Sequence, residues 1–140
     1  MANEVTVTTT DVRPLSATLI RRGIAGEALA FGDVVYISSY SGAQPVVSKA
    51  AGGAVATANP FGVVVSGALG NTSVASGEAC DICVLGAVAG YSGMTSGNTI
   101  WVSDTTGRLS SVVGTKSGVV GVAESPTVVY VRPSLHTVSS

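Results

Sequence analysis

An all-β fold is predicted for this chain, a single compact β-barrel or β-sandwich, and three observations predict it. Short apolar or β-branched runs recur at 34–38, 45–48, 61–66, 79–85, 99–103, 108–113, 119–123 and 127–132. Gly, Asn, Ser, Asp or Pro punctuates most of the gaps, which is the rhythm of short strands and turns. The stretch AFGDVVYI at 30–37 returns as ASGEACDI at 75–82 and TSGNTIWV at 95–102. In each copy a glycine (Gly32, Gly77, Gly97) precedes a short polar residue (Asp33, Glu78, Asn98) and then a strand-like run. Glycine tolerates the positive φ of a tight turn, Asp and Asn hydrogen-bond the local backbone there, and Val, Ile, Tyr and Trp suit a half-buried pleat. The repeated unit therefore reads as a turn that leads into a strand.

In chain order, residues 1–14 are Thr-rich, alternate in EVTVT and close at Pro14, so they read as an extended N-terminal arm. Residues 15–133 form the β-domain. Its first piece, LSATLIRRGIAG at 15–26, has a helical start that Gly23 and Gly26 end within two turns, which leaves strand or turn equally open. KAAGGAVATANP at 49–60 is Ala-rich, but Gly52-Gly53 and Pro60 break a helix, so a mobile loop or edge segment is expected. Shifting the chain by 65 residues lays 28–42 on 93–107 and pairs Gly32 with Gly97, Gly42 with Gly107, Tyr36 with Trp101, Val35 with Ile100 and Leu29 with Met94. A single such match in 140 residues suggests two related halves of one domain and not a solenoid, which needs at least three stacked units. Residues 134–140 read as a flexible tail.

Only 11% of residues are charged, against about 25% in an ordinary soluble domain, and none lies between 50 and 77. A surface so poor in charge and rich in Gly, Ala, Ser, Thr and Val is expected to be partly covered by another chain. With net charge -1 and the seven Lys and Arg scattered except for Arg21-Arg22, direct nucleic-acid binding is not expected. Arg21 and Arg22 read as a solvated pair or as a contact for an acidic patch on a partner. No run reaches the roughly 18 apolar residues of a membrane span. MANEVTVTTT lacks the apolar segment of a Sec-type signal peptide, so folding in a cytosol is expected.

Catalytic chemistry finds little support. The lone histidine, His136, lies in the tail, and the serines and threonines form no nucleophile-elbow pattern. Cys80 and Cys83, read in one strand, point to opposite faces about 10 Å apart, too far for a disulfide. One C-x-x-C with one distant His falls short of a zinc site. Asp33, Glu78 and Asn98 differ in charge, which suits turns better than a carboxylate or calcium site. The glycines make neither a dinucleotide fingerprint nor a P-loop. No enzyme activity, cofactor, metal or small-molecule substrate is expected.

RRGIAGEALAFGDVVYIS, PFGVVVSGA, GEACDICVLGAV, SGNTIWVSDTTGRLS and GVVGVAESPTVVYVRP follow in an order, spanning residues 20 to 133, that resembles the head decoration, or capsid cement, proteins of tailed bacteriophages. The resemblance implies a β-tulip-like barrel or sandwich, assembled as a homotrimer on the outer surface of an icosahedral shell made of a major capsid protein. It implies a virion structural protein made in the bacterial host cytoplasm, without direct nucleic-acid contact. The same resemblance extends to phage fibre and spike modules, which leaves host or carbohydrate recognition as the alternative. An extended terminus that adds a strand to the capsid protein is also implied, making Val5 and Val7 of the arm, with Arg21 and Arg22, candidate partner contacts.

Overall fold

The computed structural model describes residues 4–15, 18–54, 57–67 and 72–133. The chain is all-β, with 54% of the described residues in strand and 3% in helix, built as a closed five-stranded barrel with additional strands. The five staves are β3 (Leu19–Ala25), β5 (Val34–Ser41), β6 (Gln44–Lys49), β7 (Gly62–Gly67) and β9 (Ala79–Ala89). They close in the order β3, β6, β5, β7, β9 and back to β3. Every pairing is antiparallel except β3 with β6. Within the segment 15–26, Leu19–Ala25 is therefore strand, with Ile20, Arg21, Arg22 and Gly23 each paired with β9.

β9 is the long strand because it serves two sheets. Its first part pairs with β3 and β7, and residues Gly86 to Ala89 pair with β14 (Val128–Val131). Beyond β14 the second sheet continues through β13 (Val119–Ser125) and β11 (Thr99–Val102) to β12 (Leu109–Ser110). Short ladders, β4 (Leu29–Ala30) with β8 (Ser73–Val74) and β1 (Thr6–Val7) with β10 (Tyr91–Ser92), complete the body with β2 (Arg13–Pro14) on β9. One continuous core runs through both sheets, dominated by Val34, Val35, Val47, Val63, Val64, Ile82, Ile100, Val102 and Leu109, each completely buried. β-branched side chains lose little freedom on a pleated surface, which is why valine suffices here.

The three sequence copies are one structural device. Gly32, Gly77 and Gly97 have φ of 93, 89 and 88°. In each turn the residue after the glycine donates its N–H to the carbonyl three positions back, at 3.1 Å in all three: Asp33 to Ala30, Glu78 to Ala75, Asn98 to Thr95. Each turn then grips one residue of another strand through two backbone bonds. Gly32 N–H donates to the Val64 carbonyl and Val64 N–H to that of Asp33; Gly77 and Glu78 grip Ala25 in the same way, and Gly97 and Asn98 grip Ala123. Val64, Ala25 and Ala123 are all buried. The carboxylates add a local tie, with Asp33 Oδ2 accepting from Ala30 N–H and Glu78 Oε1 from Ala75 N–H, both at 2.9 Å.

A fourth turn of the same kind, Thr105 to Arg108 with Gly107 at φ 80°, was not evident as a copy because a long cation follows its glycine. Its Gly107 N–H donates to the Ala50 carbonyl at 2.7 Å and its carbonyl accepts from Val34 N–H, which fastens the second sheet to the barrel. The segments 28–42 and 93–107 lead into the same strand order: β5 with β6 on one side and β7 on the other, β11 with β12 and β13. The matched positions share burial, with Val35 and Ile100 enclosed, Leu29 and Met94 nearly so, and Tyr36 and Trp101 half-buried.

The N-terminal segment differs from the free arm expected of it. Among its described residues it is extended except for a 3-10 turn at Thr9–Asp11, but Val5 and Val12 are 3% and 7% exposed and belong to the core. Val5 N–H donates to the Leu109 carbonyl, and Val7 pairs with Tyr91. Val7 and Val12 also close over Gly32, where an added Cβ would stand 2.7 Å from Val7 Cγ1 and 3.2 Å from Val12 Cγ2. Alternating Val in a Thr-rich strand has bought a place inside the body, because burying each valine contributes about 1.5–3 kcal/mol. The segment at 49–60 differs in a similar way: Ala50 and Ala58 are buried, and Gly52 N–H donates to the Ser103 carbonyl. The tail 134–140, with His136, lies outside the described residues.

Two predictions follow from this construction. Gly77→Ala and Gly97→Ala leave room for the new methyl but force a side chain into positive φ, so each should lower stability by about 1–2 kcal/mol. Gly32→Ala should cost more through its clash with Val7, and Gly53→Ala, with open space and no positive φ, should change little; urea unfolding measures all four. Deleting residues 1–12 should lower the unfolding temperature markedly, because two core valines leave with the segment. An unchanged melting curve for the truncated chain would contradict that placement.

Candidate functional site

Where titratable groups meet, the geometry is structural. Asp33 is 6% exposed and caps its own turn. Burial lifts its carboxyl above the ordinary 3.8, with the Ala30 N–H, Lys49 and Arg108 opposing that lift and Glu27 adding to it. Tyr91, in β10, donates its hydroxyl to the Gly32 carbonyl at 3.0 Å inside the core. Burial, and then the nearby Asp33, push that phenol upward, so it stays protonated. Asn98 is exposed beside its glycine turn, where it serves the same backbone geometry as Asp33.

Cys80 and Cys83 are free and buried. Burial, with Asp81 as a smaller cause, pushes the Cys80 thiol up to about 11, and burial raises Cys83 as well. Protonated thiols enclosed in a strand are poor nucleophiles and poor metal ligands. Among the described residues no group of three or more His, Cys, Asp or Glu side chains is placed to hold a metal ion.

The candidate contact residues separate. Val5 and Val7 are engaged by the chain's own core and ladder, so neither is available as part of a free strand. Arg22 is held on Asp81, with Nη2 and Nε each 3.2 Å from Oδ1, and Asp81 Oδ2 accepts from Ser66. Arg21 lies over the Phe61 ring, 5.9 Å from its centroid, an exposed cation–π contact worth about 0.5–1 kcal/mol. The two arginines do not act as one basic patch.

What the structure exposes instead is apolar. A concavity of about 910 Å³ is lined by Leu19, Leu85, Trp101, Val119, Val122 and Pro133, with Arg132 on its border. Leu19 and Leu85 are direct cross-strand partners, 54% and 41% exposed. β-Bulges create this surface. Val84 is an extra residue in β9 opposite the Leu19–Ile20 step, and Val120 an extra residue in β13 opposite Ile100–Trp101. Each extra residue reverses the inward–outward phase of the strand beyond it. Leu85 faces outward from the run ICVLGAVA, three residues after the fully buried Ile82.

The second exposed apolar feature is the β5–β6 hairpin. β5 pairs with β7 only at Val34 and Val35, so from Ile37 onward its partner is β6 alone. Ile37 is 50% and Tyr40 79% exposed. No charged residue lies between Asp33 and Lys49. Sheet edges are normally guarded by charge, proline or bulges; this one has a bulge at Ser38 and Pro45 on the neighbouring strand.

The raised Asp33 carboxyl has a measurable consequence. A folded-state pKa above the unfolded value means that the folded state holds the proton more tightly, so this stabilisation is present below the unfolded value and is lost as pH rises through the folded one. Asp104 works the other way: its carboxylate accepts from the Thr115 hydroxyl and N–H, which lowers its pKa, so its contribution is lost as pH falls. Comparing wild type with Asp33→Asn isolates the first. The wild type should lose stability relative to the variant as pH rises through the weakly acidic range above 3.8, whereas parallel stability–pH curves would contradict the account.

Comparison with family models, with curated proteins and with solved structures finds no match, so the functional reading is carried by composition and surface geometry.

Proposed function

We propose that the chain is a virion structural protein that decorates an icosahedral bacteriophage capsid and stabilises it by binding the outer surface of the assembled major capsid protein lattice. It acts as a homo-oligomer, with a trimer the number the resemblance implies, and without catalysis, cofactor or direct contact with nucleic acid. It is made in the cytoplasm of the bacterial host and ends on the outside of the particle.

The observation that carries this reading is the pairing of a closed, valine-packed barrel with a charge-poor exterior on which Leu19 and Leu85 are exposed in a groove and Ile37 and Tyr40 on a hairpin. Such a body suits adhesion. Lattice contacts recur at many identical sites, so no single one has to be strong. Binding the assembled shell but not free subunits stabilises the shell by mass action, by about 2.7 kcal/mol per site at 100 times the dissociation constant. The docked N-terminal segment removes strand donation by Val5 and Val7 from the mechanism and moves the adhesive role to the body's surface.

Heating particles depleted of the protein, and the same particles after adding it back, while recording DNA release tests the proposal. Depleted particles should rupture at lower temperature, and replenishment should restore the loss saturably. Identical release curves with the protein shown to be bound would overturn the cementing role and favour a fibre or spike module for host or carbohydrate recognition.

A further inference from the structure

Among the described residues, four of the six exposed large hydrophobic side chains, Leu19, Leu85, Ile37 and Tyr40, belong to two features of opposite shape. The first pair floors a groove. The second pair stands on a hairpin that extends past its last barrel partner on the β5 side. Both lie toward the same end of the barrel: β3 and β6 run parallel, with Ile24 opposite Val46, so stepping back along both strands leads to Leu19 on one and to the Gly42–Ala43 turn on the other. The hairpin is held to its own partner by the pairs Tyr40 with Pro45 and Ser41 with Gln44.

We propose that the groove lined by Leu19, Leu85 and Trp101 receives the β5–β6 hairpin of a second copy of this chain, with Tyr40 as the inserted side chain and Ile37 packing at its edge. Three observations fit the hairpin to the groove. The hairpin carries no charge from Val34 to Ser48, so it enters an apolar groove without desolvating an ion. The groove, at about 910 Å³, has room for a tyrosine and its neighbours. Its lining includes Thr99 and Arg132, residue types whose hydroxyl and guanidinium can donate to the carbonyls of a hairpin edge that pairs with no other described strand beyond Val35. A projection on one face that fits a hollow on another is a head-to-tail contact, which closes into a ring when the rotation between copies allows. A buried aromatic anchor of this kind typically carries a large share of an interface's energy.

The contact concerns self-association alone and would stand if the capsid reading failed, since the ring forms in solution without a particle. The test is sedimentation of the full chain in three forms: wild type, Tyr40→Glu and Leu85→Glu. Wild type should sediment as a closed oligomer. Each variant alone should be monomeric, its dissociation constant raised by about thirtyfold or more, as expected for the loss of a hot-spot residue. An equimolar mixture of the two variants should form a one-to-one dimer, because it retains one intact groove and one intact hairpin. A monomeric wild type, a variant that keeps the wild-type oligomer, or a mixture that stays monomeric would each overturn the proposal. Circular dichroism establishes that the variants keep the β-fold, and Leu19→Glu, at the more exposed member of the leucine pair, replaces Leu85→Glu if that variant does not.

Discussion

The backbone grip between a glycine turn and one buried strand residue is the constraint on which the rest of this molecule depends. A strand can join a distant partner only after its loop has been closed, at an entropic cost that local contacts do not recover. Here each entering strand meets its partner through two hydrogen bonds made by consecutive residues of the turn, at Val64, Ala25 and Ala123. The grip at Ala25 joins β9 to β3, the seam that closes the barrel, and the grips at Val64 and Ala123 join β5 to β7 and β11 to β13. Since the bonds are made by backbone groups, the turn requires a glycine at positive φ but leaves its fourth position open to Asp, Glu, Asn or Arg.

Side-chain chemistry is correspondingly spare. Valine fills the core, and the carboxylates of Asp33 and Glu78 serve backbone N–H groups next to their own turns. Tyr91 and the N-terminal valines close over the first turn, so the grip at Gly32 is also where β10 and the N-terminal segment meet. A body held in this way needs few ions. Its surface is then free to be apolar at Leu19, Leu85, Ile37 and Tyr40, and bulges interrupt the ladders nearby at Val84, Val120 and Ser38.

Much of this was legible in the sequence, and the limits are physical. The all-β class and the strain-tolerant role of Gly32, Gly77 and Gly97 follow from composition and local turn chemistry, which act over four residues. The fate of residues 4–12 was not legible, because alternating Val and Thr describe a strand without saying whether it lies inside the body or outside it. Trp101 could be singled out, but its place beside Leu19 and Leu85 depends on extra residues in the ladders, and a bulge leaves no mark in a run of valines. Arg21 and Arg22 read as a pair, while the pleat sends one over Phe61 and the other to Asp81.

Amide hydrogen exchange, residue by residue, tests the central claim most directly, since the claim concerns particular N–H groups. The grips predict that the amides of Gly32, Gly77 and Gly97, and of Val64, Ala25 and Ala123, exchange as slowly as those in the middle of β9, opening only with the whole barrel. Gly42, at the exposed turn of the β5–β6 hairpin, should exchange rapidly. Exchange at Gly77 and Ala25 as fast as at Gly42 would show that the seam of the barrel is not held by its glycine turn, and would contradict the account.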